Sequence, residues 1–534
     1  MYIFSLSLYI GTFAVLFKCI SIYLTQRKRL QDSKRHGCAP PPTVSGRDPF
    51  GIMSVIGAMK AQREGRSAIW FKELLDSISP DTLTVRGMVL DTEIIITRDP
   101  SLVQFILQTD AKRWDIGPQR REIWSPLLGD AIFTSRGDAW KHSRQLVRPQ
   151  FSRFKVSDLD LEERHVQALF ARQEFQDTED GWTEKFDLGP LFYNLTLDVA
   201  TEFLYGKSVH SQESGNEPGH ISSSSPTNST EDTDFRSFGR HLDAGKETLF
   251  MKGIAGKWNK FVKGRNFNHH RDEVHRMVDK FVGECLSKAQ DEKSSEPGSE
   301  KKPFSLLQEL AKVNQDPIQL RYETLQVLNA GRDTTGTLLG WIFYFLARNP
   351  DVYSKLRSII LSDFGQYGSA ISFQNLRSCK YLQHVIDESY RVGSPIPLND
   401  RTCNQDTVLP RGGGPDGTQP VFLPAGSRVL VSMYAMQYRK DIWGEDADKF
   451  RPERWEGRRA AWEYIPFGGG PRKCIGQEFA LTETSYIIIR FLQKYDRIEN
   501  LEKPGPVLSH HTVTNRSKNG VQVRLHRADP LSIV

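Results

Sequence analysis

The sequence predicts a mainly α-helical protein that carries small β-sheets, an α+β class. Three observations lead there. Long stretches repeat apolar residues at helical spacing, above all 235–288, 318–347 and 475–495, whereas only 82–97 and 506–525 show the β-branched runs and turn signals of strands. Hydrophobic residues make up 38% and charged residues 25%, which suits a packed core and excludes a disordered tail or a fibre. The mean hydropathy of −0.47 excludes a polytopic membrane protein. The balance of 71 basic and 65 acidic side chains, net +6, is slight for 534 residues and leaves no footprint for nucleic acid.

At the amino terminus, residues 1–24 (MYIFSLSLYIGTFAVLFKCISIYL) are apolar except for Lys18. As a helix they would extend about 36 Å, enough to cross a bilayer, with Lys18 near one end. Arg27, Lys28, Arg29, Lys34 and Arg35 follow and no basic residue precedes, so the bulk of the chain is expected in the cytosol. A cleaved leader needs a charged n-region and a small-residue cleavage site, and both are missing, so a retained single-span anchor is expected. Residues 25–46, with APPP at 39–42, read as a basic, proline-stiffened hinge. The remainder, 47–534, reads as one large catalytic domain.

Within it, TLTVRGMVLDTEIIIT at 82–97 suits a hairpin, and Asp99-Pro100 then starts a helix reaching about Gln108. Helical patterns recur at 156–174, 235–288, 304–314, 318–347, 350–363, 381–392 and 475–495. Two polar stretches, 207–234 and 289–302, read as exposed flexible insertions. Residues 395–473 are rich in Pro, Gly and Trp and read as irregular chain.

The six cysteines form no CxxC pair, which argues against a zinc ribbon or a disulfide framework and leaves chemistry to a single thiol. Cys474 stands apart in Phe467-Gly-Gly-Gly-Pro-Arg472-Lys-Cys474-Ile-Gly476. Glycines there let the backbone approach a planar group, a thiolate can ligate haem iron, and the positive end of a helix opening at Ile475 favours that thiolate. A lone cysteine is more often a small buried hydrophobe; the surrounding pattern overturns that reading. A second segment, Ala330-Gly-Arg-Asp333-Thr334-Thr, interrupts an apolar helix with poor helix formers. The Thr334 hydroxyl can bond the Ala330 carbonyl four residues back and open a groove there. Glu388 and Arg391 share a helix face at i, i+3, with Arg454 downstream in FRPERW; Trp140 and Arg144 share one at i, i+4.

Together these segments resemble the cytochromes P-450, whose haem loop reads F-x-x-G-x-R-x-C-x-G. GCAPPP and RDPFG (37–42 and 47–51), GDAWKHSRQLVRPQF (137–151) and FGGGPRKCIGQEFALTE (467–483) are most similar to the fungal branch that hydroxylates n-alkanes and fatty acids. The resemblance implies the cytochrome P-450 fold and haem b with Cys474 as axial thiolate, cradled by Phe467 and Gly476. It implies propionate contacts from Trp140, Arg144, Arg401 and Arg472, and proton delivery by Asp333 and Thr334. It implies a buried structural network of Glu388, Arg391 and Arg454. The implied reaction inserts one oxygen atom from O2 into an unactivated C–H bond of a hydrophobic substrate, a fatty acid or alkane at or near the chain end. Electrons would come from NADPH through an NADPH-cytochrome reductase, with cytochrome b5 as an optional second partner. The implied site of action is the endoplasmic reticulum membrane, single-pass and in contact with lipid, with the catalytic domain cytosolic. Oxidative tailoring of a fungal polyketide or terpenoid stands as the alternative; a reductase-independent isomerase or dehydratase, and a non-catalytic haem sensor, rank below because neither needs Asp333-Thr334.

Overall fold

The computed structural model describes residues 31–44, 48, 51–90, 92–152, 158–213, 237–291 and 304–529, with scattered positions between 13 and 28. Most of the expected anchor, and residues 214–234 and 292–302 of the two polar insertions, lie outside the described residues. Among the described residues no helix is long and apolar enough to cross a membrane. The chain divides into two compact units, one of 1–56, 71–117 and 399–432, the other of 57–70, 118–398 and 433–534.

The smaller unit is the β-rich one. The expected hairpin forms from β1 (Thr84–Val89) and β2 (Thr92–Thr97), antiparallel, with Ile94, Ile95 and Ile96 buried. Short β3 (Trp114–Asp115), β4 (Leu398–Cys403) and β7 (Arg428–Ser432) complete a five-stranded sheet in the order β1-β2-β7-β4-β3. β5 (Thr407–Gly413) and β6 (Gln419–Leu423) make a separate hairpin. The irregular chain expected over 395–473 is therefore corrected for its first part, which supplies β4 to β7. Of the glycines of RGGGPDG, Gly412 has positive φ within the irregular end of β5, and Gly414 and Gly417, also of positive φ, turn the chain into β6. The parallel pairing of β7 on β2, Ile94 opposite Arg428, joins segments far apart in sequence that no local window reveals.

In the larger unit the helices that matter are α1 (Gly137–Val147), α2 (Asp160–Phe170), α3 (Leu188–Tyr205), α4 (Phe238–Ala255), α5 (Phe267–Asp291), α6 (Pro317–Leu346), α7 (Pro350–Phe364), α8 (Lys380–Gly393) and α9 (Gln477–Lys494). The continuous helix expected over 235–288 is corrected to two, α4 and α5. Gly256 (φ 53) ends the first, and Gly264 lets the chain fold back: a Cβ there would lie 2.2 Å from Thr248 Cγ2. α6 starts with Pro317 at its first position and Asp316 Oδ1 accepting from the Ile318 N–H at 2.9 Å. It is buried around most of its circumference, as its apolar sequence requires. Phe343 of α6 packs against Phe192 of α3 (centroids 5.2 Å apart) and Phe491 of α9 (4.7 Å). Gly393 closes α8 against α6, since a Cβ there would fall 2.4 Å from Trp341 Cγ.

Candidate functional site

The larger unit holds every expected site residue except Arg401. The loop at 467–476 is pinned at both ends. Phe467 O accepts the Cys474 N–H at 3.0 Å, and Gly476 O accepts from Ala480 N at 2.9 Å as α9 begins. Between them Gly468 (φ 69) and Gly470 (φ 66) take left-handed turns, and Gly469 touches Trp462 so closely that a Cβ would lie 2.5 Å from its Cη2.

Burial pushes the Cys474 thiol up, while the Gly476 N–H on its sulfur and the nearby charges of Arg144 and Lys473 pull the other way. α9 starts at Gln477 rather than at the expected Ile475. Cys474 is nonetheless accessible, so its thiol opens onto space rather than onto packed side chains.

Around this loop the structure gathers the cations of the motif on α1. Arg144 Nη2 donates to Lys473 O at 2.9 Å and Arg472 Nη2 to Ser135 O at 3.0 Å. Both guanidiniums approach the face of Trp140, at 5.7 Å and 4.3 Å from its centroid. Arg401 belongs to the smaller unit, on β4, where its Nη1 donates to Asn399 Oδ1 (2.8 Å) and Asp400 O (2.7 Å).

On α6 the Thr334 hydroxyl donates to Ala330 O at 2.7 Å, the bond its position suggested, within a helix that runs on without a break. Asp333 is engaged on both oxygens. Oδ2 lies 2.5 Å from Lys246 Nζ of α4 and Oδ1 lies 3.1 Å from Arg332 Nη1. Arg332 also forks onto Asp243 (2.6 and 2.9 Å), whose own Oδ1 lies 2.9 Å from Lys246. Burial raises the Asp243 carboxyl and the adjacent Arg332 and Lys246 charges overcome it, holding it well below the usual range. Sequence reasoning missed Lys246: Asp243 and Lys246 at i, i+3 look like an ordinary surface pair.

Glu388, Arg391 and Arg454 meet in one buried knot. Glu388 Oε1 accepts from Arg391 Nη2 (2.8 Å), Arg454 Nε (2.8 Å) and Arg451 N (2.9 Å); Oε2 accepts from Arg391 Nε (2.8 Å) and Trp455 Nε1 (3.0 Å). Arg391 Nη1 reaches the Gln437 and Ala447 carbonyls (2.8 and 2.7 Å) and Arg454 Nη1 the Trp443 carbonyl (2.8 Å), so the guanidinium donors are satisfied away from water. Trp455 was a partner that ion-pair spacing alone does not disclose.

This donor set fits a haem. An accessible thiol with an N–H on its sulfur suits iron, and guanidiniums beside an indole suit anionic propionates. Comparison with known proteins agrees. Residues 83–523 match the family model for cytochrome P-450. The chain is 42% identical over 525 residues to cytochrome P-450 monooxygenase g430 of a Fusarium species, covering 98% of this chain and 90% of that protein. It is 37% identical to cytochrome P-450 monooxygenase alt2 of Alternaria solani, with 89% and 88% covered, and 36% identical to cytochrome P-450 52A12 of Debaryomyces hansenii, with 91% and 92% covered. With the thiol loop, the buried Glu–Arg knot and the helix of Thr334 all accounted for, the chain belongs to the cytochrome P-450 family of haem-thiolate monooxygenases.

Proposed function

We propose that the Cys474 thiolate would hold the haem iron and that the protein hydroxylates a fatty acid or alkane at or near the chain end. When bound, the haem supplies reductive activation of dioxygen and insertion of one oxygen atom into a C–H bond. The observation that carries the assignment is the Cys474 loop itself, an accessible thiol pinned by Phe467 O and facing the Gly476 N–H. Binding iron replaces the thiol proton, so the cost of a buried thiolate is offset by the metal. Arg144 and Arg472, whose guanidiniums approach the face of Trp140, would hold propionate charge. Thr334 and Asp333 of α6 would hold and pass protons to the reacting centre. Electrons come from NADPH through a reductase that docks as a separate protein, with cytochrome b5 as an optional donor.

A membrane setting at the endoplasmic reticulum follows from the apolar residues 1–24 and from Trp258 and Phe261, which are exposed beside Lys257, Lys260 and Lys263. The apolar side chains of Phe250 and Met251 on α4 suit a lipid-like substrate. Resemblance to the fungal alkane and fatty-acid branch narrows the class; the 36% identity to proteins of the 52A series supports it. Tailoring of a polyketide or terpenoid is the second reading, favoured by the greater identity to g430, which is not of that series.

The reduced protein with carbon monoxide should show the Soret band of a thiolate-ligated haem, and Cys474→Ala should lack it. A wild-type protein that loads haem without that band would sink the assignment. Spin-state titration with a panel of fatty acids against cyclic terpenoids then separates the two substrate readings: a response to the cyclic compounds alone rejects the fatty acid.

A further inference from the structure

Next to the Cys474 loop lies a file of oxidisable aromatic side chains that monooxygenation does not use. Tyr390 of α8 is buried in the electrostatic field of Cys474, with its ring 5.2 Å from Phe467. Tyr464 in turn lies in the field of Tyr390, and its phenol donates to Asp387, 3.0 Å from Oδ1 and 3.0 Å from the main-chain oxygen. The Trp455 ring is 4.5 Å from Tyr464, and Trp443 is 5.4 Å from Trp455. Both indoles are fixed, by Trp455 Nε1 on Glu388 Oε2 and Trp443 Nε1 on Met436 O.

We propose that Tyr464 and Asp387 form a proton-coupled redox site that donates an electron toward the Cys474 loop when oxidising equivalents generated there find no substrate. The proposal rests on the reading of Cys474 as the haem ligand. Its chemistry balances. The Tyr464 O–H bond breaks, the proton forms a new O–H bond at Asp387 Oδ1, and one electron passes by way of Tyr390 and Phe467 to the oxidised centre, which gains it. A reductant of the thiol class restores the electron through Trp443 and Trp455, two thiols pairing to a disulfide and releasing two protons to water for every two electrons given, and Asp387 returns the proton to Tyr464.

Three observations support this over simple packing. A phenol gives up an electron readily only when its proton has somewhere to go, and Asp387 is the one carboxylate within hydrogen-bond reach among the bonds recorded for Tyr464 in the described residues. Burial pushes the Asp387 carboxyl up to about 6, making it a better proton acceptor than an ordinary carboxylate. A phenylalanine would fill the aromatic cluster of Trp443, Trp455 and Tyr464 equally well, so packing does not explain the hydroxyl.

The test uses the full-length, haem-loaded protein whose carbon monoxide band has been verified. Mixing the substrate-free ferric protein with peracetic acid and freezing at millisecond times should give a tyrosyl radical by electron paramagnetic resonance. Tyr464→Phe should lose that signal and bleach its haem faster than wild type, and Asp387→Asn should shift both readouts the same way. Spin-trap adducts mapped on the wild-type protein should include Tyr464, which keeps the test open if either variant loads haem poorly. Unchanged radical yield and bleaching in a Tyr464→Phe protein with an intact band would overturn the proposal, as would adducts confined to other residues. A wild-type protein without the band would reject the Cys474 assignment instead.

Discussion

Lys246 Nζ of α4 sits 2.5 Å from Asp333 Oδ2 of α6, tying α4 to the acid beside Thr334. Both side chains are almost wholly buried, so their attraction is little screened.

Lys246→Met is therefore expected to destabilise the haem-loaded protein by about 3 kcal/mol, the low end for breaking a buried pair, because Arg332 remains on Asp333 Oδ1. Lys246→Met/Asp333→Leu should recover most of that loss by removing the stranded charge. Chemical denaturation of the three proteins checks both statements; a double variant no better than the single would mean that the pair is not the source of the loss.

Thr334→Ala removes a hydroxyl that is spent on Ala330 O inside a helix, where alanine is the better helix former. Stability and carbon monoxide binding should be unchanged or slightly improved. If Thr334 helps to place protons, peroxide released per NADPH should rise and product should fall by about two orders of magnitude or more, the usual range for a lost general acid–base group. Coupling measured as product per NADPH is the readout, and wild-type coupling in the variant would remove Thr334 from the proton path.

Arg454→Ala should be far more damaging to folding. It leaves Glu388 with one guanidinium where it had two, at a buried site, at a cost of about 3–5 kcal/mol. Arg454→Lys should rescue only part, because a single ammonium cannot serve Glu388 Oε1 together with the Trp443 and Asp446 carbonyls that the guanidinium fork reaches. Haem content per chain and the unfolding midpoint would show it; full rescue by lysine would contradict the forked geometry.

The knot around Glu388 and the loop around Cys474 were legible because each motif carries residues whose types have few other uses together. Thr334 and Ala330 were legible too, since their bond is local to one helix turn. What stayed hidden was non-local. Lys246 and Asp333 lie 87 residues apart in the chain, and no i, i+3 pattern announces their contact. Strands β4 to β7 were hidden because their glycines and prolines read as loop; β5 and β6 pair locally, but β4 pairs with β3 and β7 with β2 hundreds of residues away. Glu162 and Glu483 carry no sequence signal of burial, because a lone glutamate in a helix ordinarily faces water.

Glu162 of α2 and Glu483 of α9 are both buried, and Glu162 Oε2 and Glu483 Oε1 have no hydrogen-bond partner among the described residues. Burial raises both carboxyls, with Asp158 adding to Glu162 and Glu162 adding to Glu483. The folded protein thus binds more protons than the unfolded chain once pH rises above the ordinary carboxyl value of 4.5, and stability falls as pH climbs from there. Below that value both states are protonated and the contribution vanishes. Glu162→Gln keeps the shape and removes the titration, so it should raise the unfolding midpoint at pH 8, by about 1 kcal/mol or more, and leave it nearly unchanged at pH 4.5. Thermal unfolding of the haem-loaded wild type and variant across that range checks the sign. Parallel curves would show that the Glu162–Glu483 pair does not set the alkaline limit, and a variant that loses ground at high pH would show that the carboxylate is held by a partner rather than endured.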